Sequence, residues 1–458
     1  MIILGEDIMK KRLRVISLFL AAILVLTAFS GCAQYTKKIK HGNAEKITSM
    51  QVNSDGKLRV LVITDTHLIG NGKTKRDRQT LRWVEEAINK SNPDLVICSG
   101  DITGNPTKGR DGGILAFANF MEARQIYWTY VFGNHDGEHG TDENGKEAEL
   151  GKDGKRTEVT TVCKNFKYDK SQGEIFFADN TRGNKQIFDL LQGYEYCLLR
   201  QDPSEQEHST EMGIGNYTFD IVDKNGNIVY AFIFMDSHGK IYFDSKDNKD
   251  GKDGYQSAGY LGLTDMQIDW YRKTAKKYAD LSVKTGLFMH VPSYGYRELL
   301  EVNDEPSPYG VPRFKERTDI EEFSKYAKFK DTKFLKKEGI YGPYYDDGLE
   351  QAIDEFKTTN LITVGHDHNN CFYLTKDISS KYKDEVEKAN EIILAYARCS
   401  GVNAWGRQVK IGATIYDIDT NATSLEDMYD IEEIYPSFKY VEKFKAAQID
   451  SSDDHSNE

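Results

Sequence analysis

The chain has 458 residues, 39% of them hydrophobic and 29% charged, and a formal net charge of −12. That is enough apolar material for one large domain or two smaller ones. Lys and Arg form no cluster beyond the N-terminus, which argues against a surface that tracks nucleic acid. An acidic balance leaves phosphorylated substrates open, because bound cations reverse the local field at a site.

Lys10, Lys11, Arg12 and Arg14 precede the apolar run Val15–Phe29 and the small residues Ser30 and Gly31. This is the order of a secretory signal, and the run is short for a membrane span. Phe29-Ser30-Gly31-Cys32 resembles a bacterial lipobox, with Phe29 where leucine is usual. The expectation is a signal peptide over residues 1–32, with Cys32 as the lipid-bearing first residue of an extracytoplasmic, membrane-anchored protein. An ordinary signal peptide with an incidental cysteine is the alternative, and Met9 is an alternative start. Residues 33–56 are polar and unpatterned and read as a tether.

The folded domain is expected over residues 57–444. Leu58–Ile63 is a short β-branched run that reads as a buried strand. A helix is predicted over Gln79–Lys90, with Leu81, Val84, Ala87 and Ile88 on one face. The strand Leu95–Cys98, a helix over Ile114–Arg124 and the strand Tyr127–Phe132 follow. This alternation argues for a parallel sheet flanked by helices. Residues 138–158 read as a long polar loop. Tyr217–Val222 and Ile228–Met235 read as a hairpin closed by Lys224–Asn227. Residues 239–256 are again polar and Gly/Asp/Lys-rich, and Thr264 with Gln267 forms a capping-box pattern that opens a helix. After the strand Gly286–Met289, residues 300–346 read as an irregular insertion rich in Tyr, Pro and charge. Strands at Leu361–Val364, Cys371–Leu374, Ile392–Ala397 and Lys410–Ile418 precede an acidic, disordered tail at 445–458. Cys98 reads as a core residue; Cys163 with Cys197, or Cys371 with Cys399, are open as bridges.

Chemistry-bearing residues recur just behind apolar β-runs. They are Asp65-Thr66-His67, Gly100-Asp101, Gly133-Asn134-His135-Asp136, His290 and Gly365-His366-Asp367-His368. In open α/β sheets the carboxyl ends of strands face the ligand crevice, so residues placed there converge. Two metal ions about 3.5–4 Å apart clamp a phosphate and generate hydroxide at neutral pH. Mixed oxygen and imidazole donors suit zinc, iron or manganese rather than a magnesium-only site. One Asp-x-His pair is more often surface decoration, and Gly-Asn-His-Asp alone can be an ordinary turn. Five such motifs in order are not coincidence.

The set resembles the calcineurin-like metallophosphoesterase superfamily, whose order is D-x-H, G-D, G-N-H-[DE], a lone His, then G-H-x-H. The resemblance spans residues 57–418 and implies a four-layer α/β/β/α sandwich of two mixed sheets flanked by helices. It implies two divalent or trivalent metal ions (manganese, zinc or iron). Asp65, His67 and His368 would hold one ion and Asn134, His290 and His366 the other, with Asp101 bridging. His135 is implied as the catalytic histidine that stabilises the transition state or protonates the leaving oxygen. Met289–Pro292 and Met235-Asp236-Ser237 resemble purple acid phosphatase-like proteins, yet Gly104 stands where those enzymes carry a metal-binding tyrosine. It also stands where protein phosphatases carry an aspartate. His238 and Asp136 are further candidates, for lining the cleft and for orienting a neighbour; His139 reads as a loop histidine.

The resulting expectation is a metal-dependent hydrolase of phosphate monoesters, acting through a bridging hydroxide on a small-molecule or polymer substrate. A phosphodiesterase on nucleotides, glycerophosphodiesters or cell-wall phosphodiesters is the alternative. A non-catalytic surface binding lipoprotein is a second one.

Overall fold

The computed structural model describes residues 46–440, apart from 71, 105–109, 138–157, 162–174, 180, 203–210, 246–253, 298–300, 304–312, 316–338, 344–345, 380–389 and 408. The signal peptide, the start of the tether, the 138–157 loop, Cys163 and the acidic tail therefore lie outside the described residues, as does most of the 300–346 insertion.

Two large mixed sheets form the centre. The first runs in the order Tyr429–Ile434, Ala413–Asp419, Lys57–Ile63, Leu95–Ser99, Trp128–Val131. Its last three strands are parallel, as the alternating pattern predicts, and Ala413–Asp419 joins antiparallel. The second runs in the order Ser49–Gln51, Tyr217–Val222, Ile228–Phe234, Lys284–Phe288, Thr359–Val364, Glu391–Tyr396, Tyr373–Asp377.

Side-chain alternation shows how the sheets stack. Phe232, Phe234, Phe288 and Leu361 pack into the core shared with Val60, Val62 and Tyr416 of the first sheet. Their adjacent neighbours Ile233, Leu287 and Ile362 pack instead with Ile268, Tyr271, Leu349 and Ile353 of the helices Asp265–Asp280 and Leu349–Phe356. One strand face thus meets the other sheet and the opposite face meets helices, as a period-two side-chain pattern requires. The helix Lys75–Ser91 packs Leu81, Trp83 and Val84 into the core on the first sheet's side. The architecture is the expected α/β/β/α sandwich.

Local chemistry sets the helix ends. Thr74 caps the first helix by accepting from the Asp77 N–H, so that helix begins four residues before the predicted Gln79. Its polar first turn carries little apolar periodicity, which hid it. Thr264 and Gln267 form the predicted capping box.

Several expectations change. Residues 49–51, read as tether, add a parallel strand beside Asp220–Val222. The polar stretch 239–256 is no simple loop: Lys240–Ser245 and Gly254–Tyr260 pair antiparallel within a four-stranded sheet. The Gly, Asp and Lys residues of this stretch break any apolar alternation, so periodicity misses these strands. The helices Thr181–Leu191 and Leu349–Phe356 and the edge strand Tyr429–Ile434 are further additions. Cys98, Cys197, Cys371 and Cys399 are all free and buried, so the Cys371–Cys399 bridge is not formed. The Cys371 thiol contacts the Glu433 carboxylate instead.

Candidate metal centre

Every sequence-predicted residue of the centre follows the carboxyl end of a strand. Asp65 and His67 follow Lys57–Ile63, Asp101 follows Leu95–Ser99, and Asn134 and His135 follow Trp128–Val131. From the second sheet, His290 follows Lys284–Phe288, and His366 and His368 follow Thr359–Val364. The site therefore straddles the seam between the sheets.

The turns that deliver these residues are strained. Asp65, His67, Asp101 and His366 have φ of 54°, 43°, 50° and 75°, a left-handed region that non-glycine residues rarely occupy. Asn92, Gln125, Ser282 and Lys357 share that region at helix ends, where it is ordinary. His238 (φ 58°) is the fifth strand-end case and is buried. The motif glycines allow close approach: a Cβ on Gly133 would lie 2.1 Å from Asp101 Oδ1, and one on Gly100 would lie 2.4 Å from His290 Nδ1.

Six of the predicted residues form two three-residue groups, Asp65/His67/His368 and Asp101/His290/His366, each with donor atoms within 4.8 Å of one another. Within the first, His67 Nε2 lies 2.9 Å from His368 Nε2, and Asp65 Oδ1 lies 3.4 Å from His368 Nε2 and 3.6 Å from His67 Nε2. Within the second, Asp101 Oδ2 lies 3.1 Å from His290 Nε2. The same oxygen is 3.8 Å from His67 Nε2, so Asp101 faces both groups. Asn134 is buried in the adjoining turn, and His135 approaches His67 with ring centroids 5.8 Å apart.

The two carboxylates are built alike. Asp65 Oδ2 accepts from the Thr64 hydroxyl (2.8 Å) and the His366 N–H (3.1 Å), while Oδ1 has no hydrogen-bond partner. Asp101 Oδ1 accepts the His135 N–H at 2.9 Å, leaving Oδ2 for the imidazoles. Two histidines are likewise oriented from behind. His290 Nδ1 donates to the Ser99 carbonyl (2.7 Å) and His368 Nδ1 to the Trp405 carbonyl (2.8 Å), so each directs Nε2 inward. Electron-rich nitrogens and oxygens thus converge in a buried space, an arrangement that requires positive charge. The donor set fits two metal ions.

The electrostatics agree. Burial opposes charge on Asp65, yet contacts with His368 and His67 hold its carboxyl well below the usual range. Asp101 is likewise held low against burial, chiefly by His290 and then His135. Burial would lower His290, but Asp101 and Asp65 outweigh it and raise it to about 10. A proton there occupies the role of a cation and must leave when a metal binds. Burial lowers His67 to about 4 and drives His366 well below its ordinary value, so both are neutral donors near pH 7.

Supporting groups are partly those anticipated. Asp136 Oδ2 accepts from the N–H of Asp101 and of Gly133, both at 2.8 Å, and Oδ1 accepts from the Thr103 N–H at 3.1 Å. Burial and then the Asp101 charge push Asp136 up to about 6, against the Tyr130, Gly133 and Thr103 donors. Asp367 is buried and accepts from the Tyr396 hydroxyl at 2.5 Å, so it fixes its turn rather than facing solvent. Gly104 packs on His67: a Cβ there would lie 2.9 Å from the His67 Cβ, which leaves no room for tyrosine or aspartate. His139 lies outside the described residues. Sequence reasoning missed Trp405, whose ring lies 4.4 Å from His67, 4.7 Å from His135 and 5.2 Å from His368 between centroids. A tryptophan in a glycine- and asparagine-rich segment carries no periodicity to reveal it.

The family model for calcineurin-like phosphoesterase matches residues 58–370. The chain is 23% identical over 357 residues to a Saccharomyces cerevisiae phosphatase, DCR2, covering 72% of this chain and 47% of that protein. The chain thus spans about half the length of this curated relative. Among solved structures, a dimetal phosphatase from Danio rerio aligns with a TM-score of 0.40 and 11% identity, over 82% of this chain and 98% of its own. A Thermus thermophilus protein, TT1561, aligns with a TM-score of 0.33 and 7% identity, over 82% and 97%.

Proposed function

The chain belongs to the calcineurin-like phosphoesterase family, whose members hydrolyse phosphoric esters, and we propose that it acts on phosphate monoesters at a centre of two metal ions. The observation that carries this reading is the position of Asp101 Oδ2, 3.1 Å from His290 Nε2 and 3.8 Å from His67 Nε2. One carboxylate oxygen facing two groups of donors suits a bridging ligand.

In this reading Asp65, His67 and His368 would hold one ion and Asn134, His290 and His366 the other, with Asp101 shared. Such ions supply Lewis acidity toward phosphate oxygens and lower the pKa of water. The chain's own part is geometric. Ser99, Trp405 and Asp136 fix the ligands from behind, so little reorganisation is needed when charge builds on the substrate. His135 sits beside the first group with its backbone tied to Asp101, which supports the reading that its imidazole protonates the leaving oxygen. The same proposal puts the protein outside the cytoplasm, tethered to a membrane through lipid on Cys32; the support is the order of basic, apolar and small residues before that cysteine.

The test is steady-state hydrolysis by the purified protein loaded separately with manganese, zinc or iron, comparing a chromogenic monoester with the matching diester. Metal-dependent turnover of the monoester supports the proposal. Preference for the diester moves the assignment to a phosphodiesterase. Two tightly bound metals without turnover of either would favour a binding protein.

A further inference from the structure

Trp405 has no part in the ligand set, yet its ring contacts three histidines of the centre. The indole lies 4.7 Å from the His135 ring at an interplanar angle of 87°, and 4.4 Å and 5.2 Å from His67 and His368. It is held in place by the chain around it. Val402 N–H donates to Thr80 Oγ1 at 3.0 Å, Asn403 Nδ2 to Asp77 Oδ1 at 2.8 Å, and Asn369 Nδ2 to the Gly406 carbonyl at 3.0 Å. The Trp405 carbonyl is itself fixed by His368 Nδ1.

Trp405 also differs from the chain's other tryptophans in its exposure. The chain has four tryptophans, and three of them, Trp83, Trp128 and Trp270, are 0–1% exposed. Trp405 alone is partly exposed. Its backbone carbonyl would orient His368 whatever side chain it carried, so that bond does not explain the indole. A rigid indole with one part on the site histidines and another open to solvent is a surface on which a substrate group can stack. With His135 as the proposed proton donor to the leaving oxygen, its contact with Trp405 sets that surface beside the leaving group.

We propose that Trp405 is a specificity-determining residue, forming a wall of the site against which the leaving group lies and favouring phosphate monoesters whose leaving group carries a planar aromatic ring. This rests on the monoesterase reading for its kinetic consequence, but stacking itself does not require turnover. Stacking of a base on an aromatic side chain corresponds to about 10-fold in affinity or more.

The experiment uses the metal-loaded full chain and two probes, adenosine 5′-monophosphate and glycerol 3-phosphate. Trp405→Leu should lower the ratio of kcat/KM for the nucleotide to that for glycerol phosphate about 10-fold. The change should fall mainly on KM, with bound metal at wild-type stoichiometry, and Trp405→Phe should restore most of the ratio. Independently, the nucleotide should quench the accessible tryptophan fluorescence of the wild type but not of Trp405→Phe. Equal loss on both probes, lost metal in Trp405→Leu, or equal quenching in wild type and Trp405→Phe would overturn the proposal. Quenching by the nucleotide with no turnover of either probe would remove the monoesterase reading and leave the stacking surface standing.

Discussion

The carboxylate of Asp136 accepts the backbone N–H of Asp101 at 2.8 Å, and so holds the left-handed turn from which Asp101 faces both ligand groups. The same carboxylate takes the N–H groups of Gly133 and Thr103, tying two motifs together. Asp136→Ala strips three backbone donors of their acceptor. A loss of about 3 kcal/mol or more in stability is expected, with metal affinity reduced about 10- to 100-fold. Thermal melts with and without metal, together with metal titration, check both effects; an unchanged affinity would deny Asp136 its positioning role.

His135 and Asp101 should separate in their effects. His135→Ala is expected to retain both metals while turnover falls about 100- to 10,000-fold. Asp101→Ala should lose metal and turnover together. Elemental analysis beside hydrolysis rates decides the matter, and equal metal loss in the two variants would contradict the division of roles.

Gly104 packs directly on His67, with 2.9 Å between a would-be Cβ and the His67 Cβ. Gly104→Tyr should therefore displace His67 rather than add a ligand. The iron-loaded variant is expected to bind less metal and to show no tyrosinate charge-transfer band. A purple protein at full metal content would show that the turn can open.

Asp347 accepts from the N–H groups of Leu349 (3.1 Å) and Leu263 (3.3 Å), linking the starts of two helices on the outer face of the second sheet. Burial, partly offset by those two donors, pushes its carboxyl up to about 7, with Asp346 and Glu350 adding to the rise. A carboxyl raised in the folded state binds protons that the unfolded chain has released. Its contribution to stability is therefore full below the ordinary value of 3.8 and is lost as pH rises through about 7. Asp347→Asn should flatten the decline in melting temperature across that window. A wild type and variant with parallel pH profiles would remove Asp347 from the account.

The strands behind each motif, and the order of the candidate ligands that follow them, can be read from residue order alone. Runs such as Val60–Ile63 and Leu95–Cys98 carry their own signal, because a strand buried on both faces must be apolar throughout. The functional groups were legible because each breaks such a run with a residue type that a core excludes. Their spacing along the chain said nothing of distance: His67 and His368, 301 residues apart, meet at 2.9 Å only because two sheets stack with their carboxyl ends together. Trp405, the Ser99 carbonyl and the three backbone donors that Asp136 gathers were also decided in three dimensions. Their roles rest on backbone geometry and on packing between distant segments, and neither leaves a local pattern in the order of side chains.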